Sequence, residues 1–175
     1  YAKNASLRMN IPAAAKVMTA LIACERLPLD TQVTISTVAA DASDREDTGD
    51  GINLMTGDKY SLEYLLMRMI YYNSDAAALA VAEQISSVEE KFVELMNTKA
   101  AGYELADTYF LNCTGRPVFP EPAEPEDTDG NNGLVPIQPV SLQYTTVLDL
   151  ARLVSFAMLD HNRSEEHTSE LQSLS

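Results

Sequence analysis

The sequence predicts a chain dominated by helices, with few and short strands. Five stretches carry apolar residues at helical spacing, near residues 13–26, 61–72, 73–85, 87–101 and 146–160, whereas one stretch alone, 32–38, alternates and is rich in β-branched residues. The third observation is a break: residues 117–139 hold six prolines, a cluster of acids and Asp129-Gly130-Asn131-Asn132-Gly133, which reads as a long loop or insertion. By themselves these elements describe an all-α domain. The chain opens on Tyr1 rather than methionine, however, and both of its ends read as cut, so a sheet could lie in the absent parts.

The 175 residues are enough for one domain with a core of its own, and no repeat or second domain is visible. Twelve basic against twenty-six acidic residues give a net charge of −14, which repels nucleic acid and anionic membrane surfaces and keeps the chain soluble. No apolar run approaches the roughly 20 residues that span a bilayer, and no signal peptide is present in the chain. Residues 163–175 read as the in-frame translation of a DNA-sequencing adapter and are set apart from the domain, expected over residues 1–162. His167 goes with them, leaving His161 as the one histidine that belongs to the fold.

Residues 1–10 are polar and mixed, fitting the end of a strand and a turn. Pro12 suits a first helical turn, where its missing N–H costs nothing. The helix to Arg26 should bury Val17, Leu21 and Cys24 on one side, with Met18 and Ile22 beside them, before Leu27-Pro28-Leu29-Asp30 stops it. A strand over 32–38 is followed by an acidic loop, 41–50, and a turn at Met55-Thr56-Gly57-Asp58. Ser61 can cap the next helix, with Glu63 favourably placed in its first turn and Leu62, Leu65, Leu66, Met69 and Ile70 as its buried stripe.

Asn73 is the natural cap of the alanine-rich helix to Ile85, whose small side chains imply close packing. Ser87-Val88-Glu89-Glu90 reads as a capping box for a helix that turns Val88, Phe92, Leu95 and Met96 inward and stops near Ala101-Gly102. Residues 108–111 fit a short extended piece. A last helix runs from Thr146 to about Asp160, with Leu150, Leu153, Val154 and Ala157 as its apolar side.

The residue that stands out is Lys16, in the first turn of a helix that otherwise reads as buried. An unpaired buried ammonium costs several kcal/mol, so such a lysine is either paired or employed. No other constellation competes. A single credible histidine excludes most Ser-His-Asp and Cys-His schemes, and no P-loop, C-x-x-C or H-x-x-x-H spacing occurs. No cofactor or metal is expected. Asp44, Glu46, Asp47 and Asp50 form a solvated acidic loop in preference to a weak calcium site. Cys24 reads as core, and a disulfide between Cys24 and Cys113 stays open.

Four ordered blocks give these residues a context. Tyr1-Ala2-Lys3-Asn4-Ala5 followed by Ile11-Pro12-Ala13-Ala14-Ala15-Lys16-Val17-Met18-Thr19-Ala20-Leu21 resembles Y-x-K-N-A and P-A-S-T-T-K-I-M-T-A-L of the serine D-alanyl-D-alanine carboxypeptidases, the low-molecular-mass penicillin-binding proteins. Gly57 to Leu66 is similar to G-x-x-Y-T-L-E-D-L-L, Thr108 to Gly115 to T-H-F-x-N-P-x-G, and Tyr144 to Leu153 to Y-S-T-A-x-D-M-A-x-L. The resemblance implies an α+β fold, β-lactamase/transpeptidase-like, of which this chain holds mainly the helical region. It also implies an extracytoplasmic place in a bacterial cell envelope and a peptidoglycan stem peptide or β-lactam as partner; membrane anchoring is left undecided.

In that family a serine of S-x-x-K attacks the D-Ala-D-Ala carbonyl and the lysine, three residues on and on the same helix face, handles its proton. An S-x-N supports proton traffic and substrate, and a K-T-G binds the substrate carboxylate. Counting back from Lys16, the nucleophile's place is Ala13, which has no atom to attack with. Counting on without a gap, S-x-N falls on Asn73 and Asp75, and K-T-G is not in the chain. Lys16 is then either the retained general base or a cation neutralised by Asp75, the second reading being preferred. Asn73 is either a helix cap or a ligand contact, and Ser74 a first-turn residue. The resemblance therefore points to a carboxypeptidase inactive as it stands, or to a silent peptidoglycan-binding or scaffolding module.

Overall fold

A computed structural model describes residues 4–43, 51–118 and 143–159. In order these hold α1 (Pro12–Arg26), β1 (Gln32–Thr34), α2 (Thr37–Ser43), β2 (Lys59–Ser61), α3 (Leu62–Tyr71), α4 (Asp75–Ser86), α5 (Glu89–Gly102) and a sixth helix, α6, over 147–159. β1 and β2 pair antiparallel, with Val33 opposite Tyr60. Two isolated bridges, Met9 with Thr145 and Tyr109 with Tyr144, fasten the segment before α1 and the segment after α5 to the start of α6.

α4 is the axis of the packing, lying against α1, α2, α3, α5 and β1. Its alanines make this possible: Ala76, Ala77, Ala78, Ala80 and Ala82 are all buried, so neighbouring backbones approach closely on several sides. The core around it takes Met18 and Ile22 from α1, Leu65 and Met69 from α3, Phe92 and Met96 from α5 and Leu153 from α6. Among the described residues no helix is long and apolar enough to cross a membrane.

Several local expectations give way to competing hydrogen bonds. The strand expected over 32–38 is three residues long, because the Ser36 hydroxyl accepts from Ala39 N–H at 3.0 Å and starts α2, which takes in the first residues of the expected acidic loop. Asn73 does not cap α4. It sits at φ +55° in a left-handed turn at the end of α3, where the Arg68 carbonyl accepts from Tyr72 and Ser74, and Ser74 is the cap, accepting from Ala77 N–H at 3.1 Å. The capping box at 87–90 does not form: Ser87, at φ +65°, closes α4, and Val88 precedes α5 without a side-chain cap.

Some faces are rotated from expectation. Cys24, Ile70, Val88 and Val154 are exposed, whereas Arg68 is buried and donates to the Ile52 carbonyl at 2.9 Å. The Ser61 cap is present, its hydroxyl accepting from Tyr64 N–H. Thr146 caps α6 in the same way, accepting from Asp149 N–H at 3.0 Å. The two cysteines, one exposed and one buried, are not joined in a disulfide. The acids of residues 44–50, most of the proline-rich segment 117–139, His161 and the expected adapter residues 163–175 lie outside the described residues.

Candidate active site

Proline-led α1, the start of α4 and the loop 112–116 meet at one point. Lys16, 4 % exposed, projects from the first turn and a half of α1, and its Nζ donates to Asp75 Oδ1 at 2.6 Å and to the Thr114 carbonyl at 2.9 Å. Asp75, also 4 % exposed, is the first residue of α4, where a negative charge is favoured by the helix dipole. Its second oxygen, Oδ2, meets Nε of Arg116, whose side chain is largely in solvent. One buried carboxylate therefore holds two cations, one on each oxygen. A buried ion pair of this kind is tolerated because additional partners satisfy its remaining hydrogen-bonding groups.

The loop that carries Thr114 and Arg116 is built by a single side chain. Asn112 Oδ1 accepts from Gly115 N–H at 2.7 Å and from the Thr114 hydroxyl at 3.2 Å, while its Nδ2 donates to the Arg116 carbonyl at 2.8 Å. Gly115, at φ +85°, lies so close to α1 that a Cβ there would stand 2.2 Å from the Pro12 carbonyl oxygen. Only glycine allows both this conformation and this approach. The Thr19 hydroxyl donates to the Cys113 carbonyl, and Glu89 Oε1 accepts from Cys113 N–H, so α1 and α5 grip the loop from two sides. Burial, with the Glu89 carboxylate adding to it, pushes the Cys113 thiol well above its ordinary range.

A cleft of about 210 Å³ opens beside this cluster, lined by Ala42 and Leu79 on its apolar side and by Asp75, Glu89, Asn112, Thr114 and Arg116 on its polar side. Among the described residues no group of histidines, cysteines and acids is arranged to hold a metal ion.

Of the four residues singled out from the sequence, the structure brings Lys16 and Asp75 into contact. Ala13 is exposed one turn before Lys16, and Asn73 is exposed in the turn that enters α4. Sequence reasoning missed Arg116, Asn112 and Glu89. The block similar to the family's pattern ends at Gly115, one residue short of Arg116, and Glu89 reads only as an interior residue of the box from Ser87 to Glu90. The glycine at 115 was the available signal, since it marks the backbone approach that carries its neighbour into the site.

The sequence model of the D-alanyl-D-alanine carboxypeptidase family matches residues 1–173. The chain is 32 % identical over 120 residues to the D-alanyl-D-alanine carboxypeptidase DacF of Bacillus subtilis (strain 168), a match covering 66 % of this chain and 30 % of the relative. Its structure is similar to that of the D-alanyl-D-alanine carboxypeptidase DacD from Francisella tularensis, with 28 % identity and a TM-score of 0.65 over 87 % of this chain and 32 % of the other. Penicillin binding protein 5 from Haemophilus influenzae shares the fold, with a TM-score of 0.69 at 21 % identity over 91 % of this chain and 41 % of the other. The chain thus spans about a third of the length of DacF and DacD.

Proposed function

Since the chain belongs to the D-alanyl-D-alanine carboxypeptidase family and has the β-lactamase/transpeptidase-like fold of penicillin-binding proteins, we propose that its site recognises D-Ala-D-Ala-ended stem peptides of peptidoglycan, and β-lactams, without forming an acyl-enzyme. The carrying observation is Ala13. It occupies the position one helical turn before Lys16, where the family's serine attacks, and a methyl group offers no lone pair to a carbonyl. With nothing to deprotonate, Lys16 acts as the inner member of an ion pair that ties α1 to α4. The protein is then a peptidoglycan-binding or scaffolding module of a bacterial cell envelope.

The reading is supported by a cleft beside the pair whose lining combines polar groups, Arg116 among them, with apolar Leu79 and Ala42, a lining suited to a short peptide with small side chains. The test uses the protein encoded by the full-length gene, a fluorescent penicillin and a peptide ending in D-Ala-D-Ala. The wild type is expected to bind both and to carry no fluorophore after denaturation, whereas Ala13→Ser is expected to retain it. Covalent labelling of the wild type, or no binding of either probe, would overturn the proposal.

A further inference from the structure

We propose that Arg116 is a positioning residue that balances the charge of Asp75, so that Lys16 meets an Asp75–Arg116 pair of no net charge in place of the neutral amide that S-x-N supplies. The inference rests on the reading that this is the family's site. Its basis is geometric. Lys16 bonds one oxygen of the carboxylate and Arg116 the other, so both cations act on the same buried anion. A lone aspartate at that position would leave an uncompensated negative charge beside the lysine; a guanidinium on the far oxygen offsets part of that field. The arginine is aimed there by the loop itself, because Asn112 fixes the Arg116 carbonyl and the Gly115 N–H while Gly115 packs on Pro12.

Glu89 on α5 faces the Cys113 N–H and the thiol, and Cys113 lies behind the loop as a buried neutral group. Arg116, like Lys16, contacts Asp75 in an ion pair. Acid at 75 and base at 116 form one compensated unit, and either without the other leaves a charge beside Lys16.

The experiment reads proton transfer in the Ala13→Ser protein made from the full-length gene. There the new hydroxyl oxygen bonds the β-lactam carbonyl carbon as the ring C–N bond breaks, and its proton passes through the Lys16 amine to the ring nitrogen. The rate of penicillin labelling against pH then reports when that amine is free. Adding Arg116→Gln is expected to move the rising limb of the profile to higher pH by about 0.5 units or more, making labelling roughly 3- to 10-fold slower near pH 7 with the same alkaline plateau. Adding Asp75→Asn is expected to move it to lower pH, and Arg116→Lys to leave it in place. Arg116→Met replaces the glutamine variant if that one fails to fold.

A fall of the plateau with no displacement of the limb would make Arg116 merely structural and overturn the inference. So would an unmoved profile, or an Ala13→Ser protein that binds penicillin without ever being labelled. Failure of the functional reading looks different: either the wild type is itself labelled covalently, or neither the wild type nor Ala13→Ser binds the probe at all.

Discussion

Two aspartates stand in the first turns of two helices, are almost equally buried, and do different things. Asp75 at the start of α4 is bonded by Lys16 and Arg116, both cations. Asp149 in α6 is bonded chiefly by neutral groups: its Oδ2 accepts from Asp107 N–H at 2.9 Å and from the Thr108 hydroxyl at 3.0 Å, and only a longer 3.4 Å contact reaches the half-exposed Arg152. The Asp149 hub holds backbone, joining α6 to the segment after α5, and Arg8 extends it by bonding Asp107 and lying 4.6 Å from the Tyr144 ring centroid. The difference separates a hub that only fastens from one that fastens and also lines a cleft. Neutral donors fix a carboxylate and leave no other charge to manage, whereas a carboxylate between cations creates a local field that a ligand or a reacting proton can feel.

The strongest way to break the comparison is at Gly115, which holds the charged hub together without contributing to its charge. Gly115→Ala places a methyl group 2.2 Å from the Pro12 carbonyl oxygen at a φ of +85°. The loop has to withdraw from α1, taking the Thr114 carbonyl from Lys16. A loss of about 3 to 4 kcal/mol in denaturant unfolding is expected, with loss of penicillin binding. Unchanged stability would mean that the approach of loop to helix is not what places Arg116.

The two hubs also differ in how much of them the sequence shows. Lys16 and Asp75 were legible because a lysine in an apolar helix demands a partner, and a gapless count from Tyr60 put an acid at the facing helix start. The start of α6 near Thr146 and the interior of α4 were legible for similar local reasons: a periodic apolar run, and a run of alanines. What was hidden depends on tertiary competition. Asn73 and Ser87 both read as helix starts, yet each is taken up at φ near +60° by the end of the preceding helix, leaving the next helix to Ser74 and Val88. Glu89 reads as an interior residue of the box from Ser87 to Glu90, with nothing local to show that it is the acceptor for a loop 24 residues away. Arg116 has no periodicity to betray it, since loop residues reach a site by the route of their backbone.

At the neutral hub, Asp149→Ala leaves Asp107 N–H and the Thr108 hydroxyl without their acceptor in a part-buried setting. A destabilisation of about 2 to 3 kcal/mol is expected in urea unfolding. Penicillin binding measured below the unfolding transition should be unchanged, because no atom of this hub lines the cleft. A variant that kept its stability but lost binding would erase the distinction between the two aspartates.

The gentlest probe is a titration at the back of the charged hub. Cys113 is fully buried, and burial with the nearby Glu89 raises its thiol well above the ordinary value of 9.0. The folded chain therefore keeps a proton that the unfolded chain releases from about pH 9 upward. Stability from this group is complete below the unfolded value and drains away as pH climbs toward the folded one. Between pH 8 and pH 10 the loss should reach about 1.5 kcal/mol, seen as a fall in unfolding midpoint that Cys113→Ala largely abolishes. No equivalent alkaline step is expected from the Asp149 hub, where the groups around the carboxylate are a backbone amide, a hydroxyl and a guanidinium. If the Cys113→Ala protein lost as much stability as the wild type over that interval, the alkaline sensitivity would belong elsewhere in the fold, and Cys113 would drop out of the contrast between the two hubs.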